Sequence, residues 1–377
     1  MSELLALLQE LCEAAHHPRR TLEQEMKRTG RKAVGCFPLY TPDEVVDAAG
    51  FLPVGLWGGT TQPQLCGQYL QSFCCSVMRA NLEQGLSGDY DLLTAVVIPT
   101  YCDTLKCICE NWKAAIALPP ALPVVYPQNR RSAAGEDFLV SEYRRLESKL
   151  IELGGVSITE EALQASFDRY EASRAALRRF VQLAALHPNT VSVKARHLVI
   201  KSGYFQEKSA YGAKLQRLNA MLEALPNETF HGKRLVVTGL MLEPEAILNL
   251  FDEEHVCIVA DDLAQESRQF RTLTPMGEDL WHRMAKRYAA QGGDPLLYES
   301  EKSRGARLIR MVHEQHADGI VIAMMKFCDP EEFDYPIYKK ELEQAGIPML
   351  YLELEQSMLQ AESIRTRLEG FLEMLGE

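Results

Sequence analysis

The sequence lacks several features that would assign it to a common class. It has no Gly-x-Gly-x-x-Gly fingerprint and no Walker loop, so neither a common dinucleotide-binding fold nor an ATPase is supported. Basic residues number 40 against 52 acidic ones, and the net charge of −12 argues against a nucleic-acid ligand. No apolar run approaches the ~18 residues of a membrane span, and the first residues lack a signal-peptide core. We therefore expect a cytoplasmic protein without membrane or nucleic-acid partners.

What the sequence does contain is an alternation of strand and helix patterns, which predicts an α/β fold with parallel sheets. The runs 94–98 and 319–325 are short, apolar and rich in β-branched residues, as expected of strands buried on both faces. Each run leads to a Cys-Asp pair and a helix, and Pro123 or Pro348 then opens another strand. This repeated order predicts two related α/β halves.

The 377 residues are enough for two or three domains. Residues 1–30 read as an N-terminal helical segment with Leu4, Leu5, Leu8 and Leu11 on one stripe. Residues 31–225 are predicted to form a first α/β domain that includes a helical connector. Residues 226–377 are predicted to form a second α/β domain.

Ten cysteines in a cytosolic chain point to thiols, metal ligands or redox groups and not to a disulfide framework. Cys102 and Cys328 follow predicted strands, and the carboxyl ends of parallel strands are where open α/β sheets bind ligands. Cys75 lies at a predicted helix start, whose positive dipole end favours a thiolate. Cys74 is the alternative third ligand. These positions predict a site in the cleft between the two domains.

Three widely spaced thiolates suit a 4Fe-4S cluster with one iron open to a non-protein ligand. Zinc needs a fourth ligand and usually takes pairs of closely spaced residues, which are absent here. Cys107 and Cys109 imitate a ferredoxin loop with Cys102 but fall within a predicted helix, so we expect them to pack. A site without metal stays open on spacing alone.

Charged residues near these strands have two interpretations. Asp261, Asp262, Glu266 and Arg268 follow a predicted strand, where they would either hydrogen-bond close to the cluster or form a capped helix start with an internal salt bridge. Asp329 is the predicted N-cap of the helix that follows Cys328. Lys326 would face away from Phe327 on the strand and would affect the charge at the cluster.

Five segments carry a resemblance to a known family over nearly the whole chain. They are Lys32-Ala-Val-Gly-Cys-Phe-Pro38, Ala48-Ala-Gly-Phe-Leu-Pro-Val-Gly55, Pro99-Thr-Tyr-Cys-Asp-Thr104, Ala260-Asp-Asp-Leu-Ala-Gln-Glu-Ser-Arg268 and Met325-Lys-Phe-Cys-Asp-Pro330. In these segments the chain resembles the beta subunits of 2-hydroxyacyl-CoA dehydratases of the 2-hydroxyisocaproyl-CoA and 2-hydroxyglutaryl-CoA type, within the superfamily related to benzoyl-CoA reductase.

The resemblance implies two Rossmann- or flavodoxin-like domains with a 4Fe-4S cluster held between them by Cys75, Cys102 and Cys328. It implies a homologous alpha subunit, which carries a second cluster and most of the acyl-CoA site, and a separate ATP-dependent iron-sulfur activator. The reaction implied is elimination of water from an (R)-2-hydroxyacyl-CoA to a 2-enoyl-CoA through a ketyl radical. In that scheme this subunit relays an electron.

Two other functions share the expected fold. A benzoyl-CoA reductase-like or double-cubane reductase subunit would transfer electrons to its substrate with net reduction. A scaffold subunit would keep the fold without any metal. A flavin is not supported by any motif, and the sequence does not identify the acyl group of the substrate.

Overall fold

The computed structural model describes residues 2–277, 279–358 and 361–376. Two four-stranded parallel sheets organise these residues, with strand orders β2-β1-β3-β4 and β6-β5-β7-β8. The strands are β1 (Ala33–Cys36), β2 (Leu52–Gly55), β3 (Leu93–Pro99), β4 (Ala121–Val124), β5 (Lys233–Gly239), β6 (Val256–Leu263), β7 (Gly319–Met325) and β8 (Met349–Leu354). The same strand order in both sheets confirms the predicted α/β fold with two related units.

Helices flank both sheets and form the region between them. The helices in the described residues are α1 (Ser2–His16), α2 (Pro18–Thr29), α3 (Asp43–Ala48), α4 (Ser76–Ser87), α5 (Asp103–Ala115), α6 (Ala133–Glu152), α7 (Glu160–Leu186), α8 (Val193–Ser202), α9 (Lys208–Glu223), α10 (Glu245–Glu253), α11 (Leu280–Ala289), α12 (Arg304–Glu314), α13 (Asp329–Gln344) and α14 (Glu362–Met374). None of them is long and apolar enough to cross a membrane.

The central strands are buried on both faces, as their continuous apolar runs predict. Every residue of β7 is buried, and in β3 Val96, Val97 and Ile98 are fully inaccessible. Burying one such side chain contributes roughly 1.5–3 kcal/mol relative to leaving it exposed. The units β3-α5-β4 and β7-α13-β8 therefore have the repeated order that the sequence indicates.

The N-terminal segment is helical, as expected, and packs on the helices that connect the two sheets. Leu4, Leu8 and Leu11 are buried in one apolar cluster with residues of α7, α8 and α9. The prediction that Leu5 shares this apolar face was wrong, because Leu5 is 48% exposed, whereas Leu7 is buried. The reason is the helical period: positions 4, 7, 8 and 11 share one face, and position 5 lies about 100° away from position 4.

The two units share part of their core. Trp281, Met284 and Tyr288 of α11 belong to the apolar cluster that surrounds the first sheet, although α11 lies between β6 and β7 in the chain. Met325 at the end of β7 and Cys328 belong to the same cluster. The carboxyl end of β7 is therefore in contact with the first unit.

Candidate metal centre

Each of the three predicted ligands occupies the N-cap position of a helix. Cys75 caps α4, Cys102 caps α5 after β3, and Cys328 caps α13 after β7. The expectation that Asp329 is the N-cap was wrong by one residue: Asp329 is the first helical residue and Cys328 takes the cap. A helix does begin here, as the aspartate and the proline predict, but its N-cap residue is the cysteine.

The three thiols lie close enough to affect one another electrostatically. Burial raises the pKa of Cys75 to about 12, and the Cys102 thiol adds to that rise. Burial, the Glu331 carboxylate and the thiols of Cys75 and Cys102 hold the pKa of Cys328 well above its usual range. Cys75 and Cys328 are 8% and 6% exposed, and Cys102 is half-buried. The structure thus brings the three thiols together from both units.

Backbone amides approach each sulfur in the same way. The N–H group of the third residue after the cysteine opposes the rise in thiol pKa at all three positions, and these residues are Met78, Leu105 and Glu331. The helices that begin here have 12, 13 and 16 residues, and the positive ends of helix dipoles stabilise thiolates. The N-terminal ends of α4, α5 and α13 therefore all face the region of the three thiols.

The turn before Cys328 has a constrained backbone. Phe327 has a φ of +62°, which a bulky residue rarely adopts, at a cost of about 1–3 kcal/mol. Its amide donates to Glu332 Oε1 at 3.1 Å. The expectation that Lys326 faces away from Phe327 was wrong, because β7 ends at Met325 and Lys326 Nζ lies 5.7 Å from the centre of the Phe327 ring.

A hydrogen-bonded contact beside Cys75 joins the two units. Ser76 Oγ donates to Met325 Sδ at 3.0 Å and accepts from the Gln356 amide at 2.9 Å. Gln356 follows β8, is fully buried, and donates through its side chain to the carbonyl of Trp57. The start of α4 is thereby fixed against the carboxyl ends of β7 and β8. Sequence reasoning missed this contact, whose only signal is a serine directly after the cysteine.

A buried charged network supports the start of α13. Arg268 is fully buried and donates to Asp262 Oδ2 at 2.9 Å and Glu331 Oε1 at 3.1 Å. Arg304 lies 3.3 Å from Asp262 and 2.8 Å from Glu331. Although burial opposes it, the guanidinium groups of Arg268, Arg271 and Arg304 hold the pKa of Asp262 well below its usual range. Asp262 and Arg268 are therefore connected, through Glu331, to α13, the helix that Cys328 caps.

The neighbouring acidic residues bind elsewhere. Asp261 and Glu266 both accept from Arg196 of α8, and Glu266 Oε1 lies 2.9 Å from His197 Nδ1. The expectation that all four residues follow the strand was wrong for Asp261 and Asp262, because β6 continues to Leu263. The four residues divide between two buried networks. Asp262 and Arg268 face α13, whereas Asp261 and Glu266 fix the connecting helix α8.

The other cysteines near the site face different surroundings. The thiol of Cys74 lies next to Thr104 and Cys107, both on α5. Cys107 is exposed, and Cys109 is 1% exposed within the core of the first unit. As predicted, Cys107 and Cys109 are helical and their thiols do not converge with Cys102 as they would in a loop. The expectation that both pack is confirmed for Cys109 and was wrong for Cys107, because that position of α5 faces solvent.

The donor set fits an iron-sulfur cluster. No group of three or more His, Cys, Asp or Glu side chains in the described residues is arranged to hold a single metal ion. The irons of a 4Fe-4S cluster are spread over a cube, so its cysteine ligands stand farther apart than the ligands of one ion. Two buried thiols and one half-buried thiol at three helix starts, packed against an apolar cluster, are a suitable environment for such a group.

Comparison with known proteins gives matches along the whole chain. The family model described as 2-hydroxyglutaryl-CoA dehydratase, D-component, matches residues 38–375. The lactoyl-CoA dehydratase subunit beta of Anaerotignum propionicum is 41% identical, with full coverage of both chains. The (R)-phenyllactyl-CoA dehydratase beta subunit of Clostridium sporogenes is 39% identical over 95% of this chain and 96% of its own. The (R)-2-hydroxyglutaryl-CoA dehydratase subunit beta of Acidaminococcus fermentans is 36% identical over 98% and 99%.

Proposed function

This chain belongs to the 2-hydroxyglutaryl-CoA dehydratase D-component family, and we propose that it is the beta subunit of an enzyme that removes water from a 2-hydroxyacyl-CoA. We further propose that Cys75, Cys102 and Cys328 hold one 4Fe-4S cluster. The observation that carries this second proposal is the convergence of three thiols, each at the N-cap of a helix. The three relatives are named for three different acyl groups and have comparable sequence identity to this chain. The comparisons therefore do not identify the acyl group of the substrate.

The chain's own residues prepare the site for a thiolate-bound group. The amides at the starts of α4, α5 and α13 face the sulfurs, so bound thiolates would be stabilised where burial disfavours them. Cys75 and Cys328 are buried in the same apolar cluster, which limits the contact of their thiols with solvent. When bound, the cluster supplies a one-electron carrier between an ATP-driven activator and an acyl-CoA in a homologous alpha subunit, where a ketyl radical would make the 2-hydroxyl a leaving group.

The contacts between the two units define what the fold contributes. Cys75 and Cys102 come from the first unit and Cys328 from the second. The bonds of Ser76 to Met325 and Gln356 hold α4 against β7 and β8, so the distance between the ligands does not depend on a flexible loop. Arg268 and Arg304 fix Glu331, whose amide faces the Cys328 sulfur. Both units must therefore be docked for the three thiols to converge.

The test is the iron and acid-labile sulfide content of protein purified without oxygen together with its native partner. We expect about four of each per chain, as a 4Fe-4S cluster requires. Cys328→Ala should lose most of the iron, whereas the matched control Cys107→Ala, which removes an exposed thiol of α5, should retain it. Iron near zero in folded, paired wild-type protein, or iron that Cys328→Ala leaves unchanged, would contradict the cluster.

Dehydratase activity is tested separately with the coenzyme A thioesters of (R)-lactate, (R)-phenyllactate and (R)-2-hydroxyglutarate. The activated complex should form the 2-enoyl-CoA from at least one of them without net consumption of a reductant. Stoichiometric consumption of electrons together with a reduced thioester product would instead identify a reductase. A folded complex that contains no iron and has neither activity would indicate that the chain is a scaffold subunit.

A further inference from the structure

Two cysteines that are not among the three predicted ligands lie close to each other at the edge of the metal centre. Cys74 directly precedes Cys75, and its thiol is half-buried and lies next to Thr104 and Cys107 of α5. The thiol of Cys107 is exposed. All ten cysteines of the chain are free, so neither sulfur is bonded to another residue. The two thiols are therefore available to each other.

One face of α5 provides this contact. Thr104, Cys107 and Asn111 follow one another at spacings of three and four positions, so their side chains lie along the same face of the helix. The Cβ atoms of residues three positions apart on a helix are about 5–6 Å from each other. The Cys74 thiol lies against the side chain of Thr104, and the same stretch of α5 therefore brings it to Cys107.

The segment that carries Cys74 runs along this face of α5. At its other end, Asn111 Nδ2 donates to the Tyr69 carbonyl at 2.5 Å. Residues 69–74 form turns without any strand or helix, and one of these turns is closed by the Cys74 amide, which donates to the Gln71 carbonyl at 3.1 Å. Because local turns leave such a segment less constrained than a helix, a covalent bond to α5 would restrain it.

We propose that Cys74 and Cys107 form a reversible disulfide by exchange with a low-molecular-weight disulfide such as oxidised glutathione. The exposed Cys107 thiolate attacks one sulfur of the reagent, so that a mixed disulfide forms on Cys107 and one thiolate leaves. The Cys74 thiolate then attacks the Cys107 sulfur and expels the second thiolate. Two electrons pass from the protein to the reagent, and the two protein thiol protons end on the two released thiols.

The disulfide joins two parts of the chain that each lead to a predicted metal ligand. Cys74 is the neighbour of Cys75, and Cys107 lies in the helix that Cys102 caps. Bonding residue 74 to a helix of 13 residues restrains segment 69–74 and, with it, the backbone of Cys75. The exchange involves only the two thiols outside the ligand set, so it does not rest on the function proposed above.

The test is incubation of the complex with its native partner, purified without oxygen, with excess oxidised glutathione at pH 8. Free thiols are then blocked with iodoacetamide, and the peptides are mapped by mass spectrometry without reduction. We expect one disulfide per chain, between the peptides that contain Cys74 and Cys107, and dithiothreitol should reverse it. The absence of any protein disulfide, or a bond from Cys107 to a different cysteine, would overturn the proposal.

Variants separate the two steps of the exchange. Cys74→Ser keeps the attacking thiol but removes the one that resolves the mixed disulfide, so glutathione should stay attached to Cys107. Cys107→Ser should give neither the mixed disulfide nor the protein disulfide. Cys109→Ala is the matched control, since Cys109 is on the same helix but is 1% exposed, and it should form the disulfide as wild type does. Equal accumulation of glutathione on Cys107 in wild type and in Cys74→Ser would refute the role of Cys74.

Proteolysis measures the restraint on the segment. Chymotrypsin cleaves after aromatic residues, and Tyr69 and Phe73 are 39% and 64% exposed. Cleavage after these two residues should be at least threefold slower in oxidised wild type than in the reduced protein. The same treatment should leave the cleavage rate of Cys107→Ser unchanged. Equal rates in oxidised and reduced wild type would show that the disulfide does not restrain the segment and would overturn that part of the proposal.

Discussion

Replacing Arg268 by methionine removes a buried charge while keeping most of the volume of the side chain. Arg268 is fully buried and contacts Asp262 at 2.9 Å and Glu331 at 3.1 Å. Removing one partner of a buried ion pair costs about 3–5 kcal/mol, because the other charge stays buried without compensation. Arg304 also contacts both carboxylates and retains part of the compensation. We therefore expect the free energy of unfolding to fall by about 3 kcal/mol.

The assay is urea denaturation of the iron-free chain under reducing conditions, with Arg179→Met as the matched control. Arg179 pairs with Glu223, and the two side chains are 47% and 44% exposed, so that substitution should cost about 0–1 kcal/mol. The comparison separates the loss of a buried ion pair from the general effect of replacing arginine.

The pH dependence provides a second check. Although burial opposes it, the guanidinium groups hold the pKa of Asp262 below its usual range in the folded state. Its contribution to stability is therefore complete above the unfolded pKa of about 4 and is lost as the pH falls toward the folded value. The difference between wild type and Arg268→Met should be constant from pH 7 to about 5 and should shrink below about 4.

Arg268→Met should also affect the metal site, because Glu331 connects the network to Cys328. We expect iron to be lost to a chelator several times faster than from wild type. The reasoning fails if Arg268→Met is no less stable than Arg179→Met. It also fails if the stability difference between wild type and Arg268→Met stays unchanged down to pH 3.

Three further predictions concern the surroundings of the thiols. Ser76→Ala removes the acceptor of the buried Gln356 amide and should lower the free energy of unfolding by about 1–3 kcal/mol. Ser87→Ala, at the exposed end of α4, is the control and should leave the stability unchanged. Urea denaturation of the two variants compares them. Phe327→Val should lower stability by about 1–2 kcal/mol relative to Phe327→Asn, because a β-branched residue fits positive φ worst, and equal stabilities would contradict the strain. In the iron-free chain at pH 8, iodoacetamide should label exposed Cys107 well before Cys75, whose pKa burial raises to about 12, as peptide mapping by mass spectrometry can show.

Features that depend on a short stretch of sequence were predicted correctly. The apolar runs before Cys102 and Cys328 are buried parallel strands, and a helix follows each Cys-Asp pair, although the helix after Cys328 begins one residue earlier than predicted. These features follow from local periodicity and from the chemistry of helix starts, which leave a signal within a few residues. The repeated order of elements was visible for the same reason.

Features that depend on distant residues were not predictable. Arg268 and Glu331 are 63 positions apart, and Ser76 contacts Met325 across 249 positions. Nothing near Ser76 in the sequence specifies its partner. The position of α11 on the first core is also non-local, because the chain returns to the first unit between two strands of the second. Lys326 was misplaced because it was assumed to continue the strand, whereas β7 ends at Met325, as its apolar run indicates, and the positive φ of Phe327 turns the chain directly afterwards.

Because the three cysteines lie at helix starts, the same fold can hold each of them either as a protonated thiol or as a metal-bound thiolate. Burial raises the pKa of Cys75, Cys102 and Cys328, so in the metal-free chain the thiols stay protonated at neutral pH. The fold therefore need not bury three like charges while it forms. Iron binds the thiolate form, and the amides at the three helix starts are already oriented toward the sulfurs that would carry the charge. Since one of these helices belongs to the second unit, cluster binding and docking of the two units should stabilise each other.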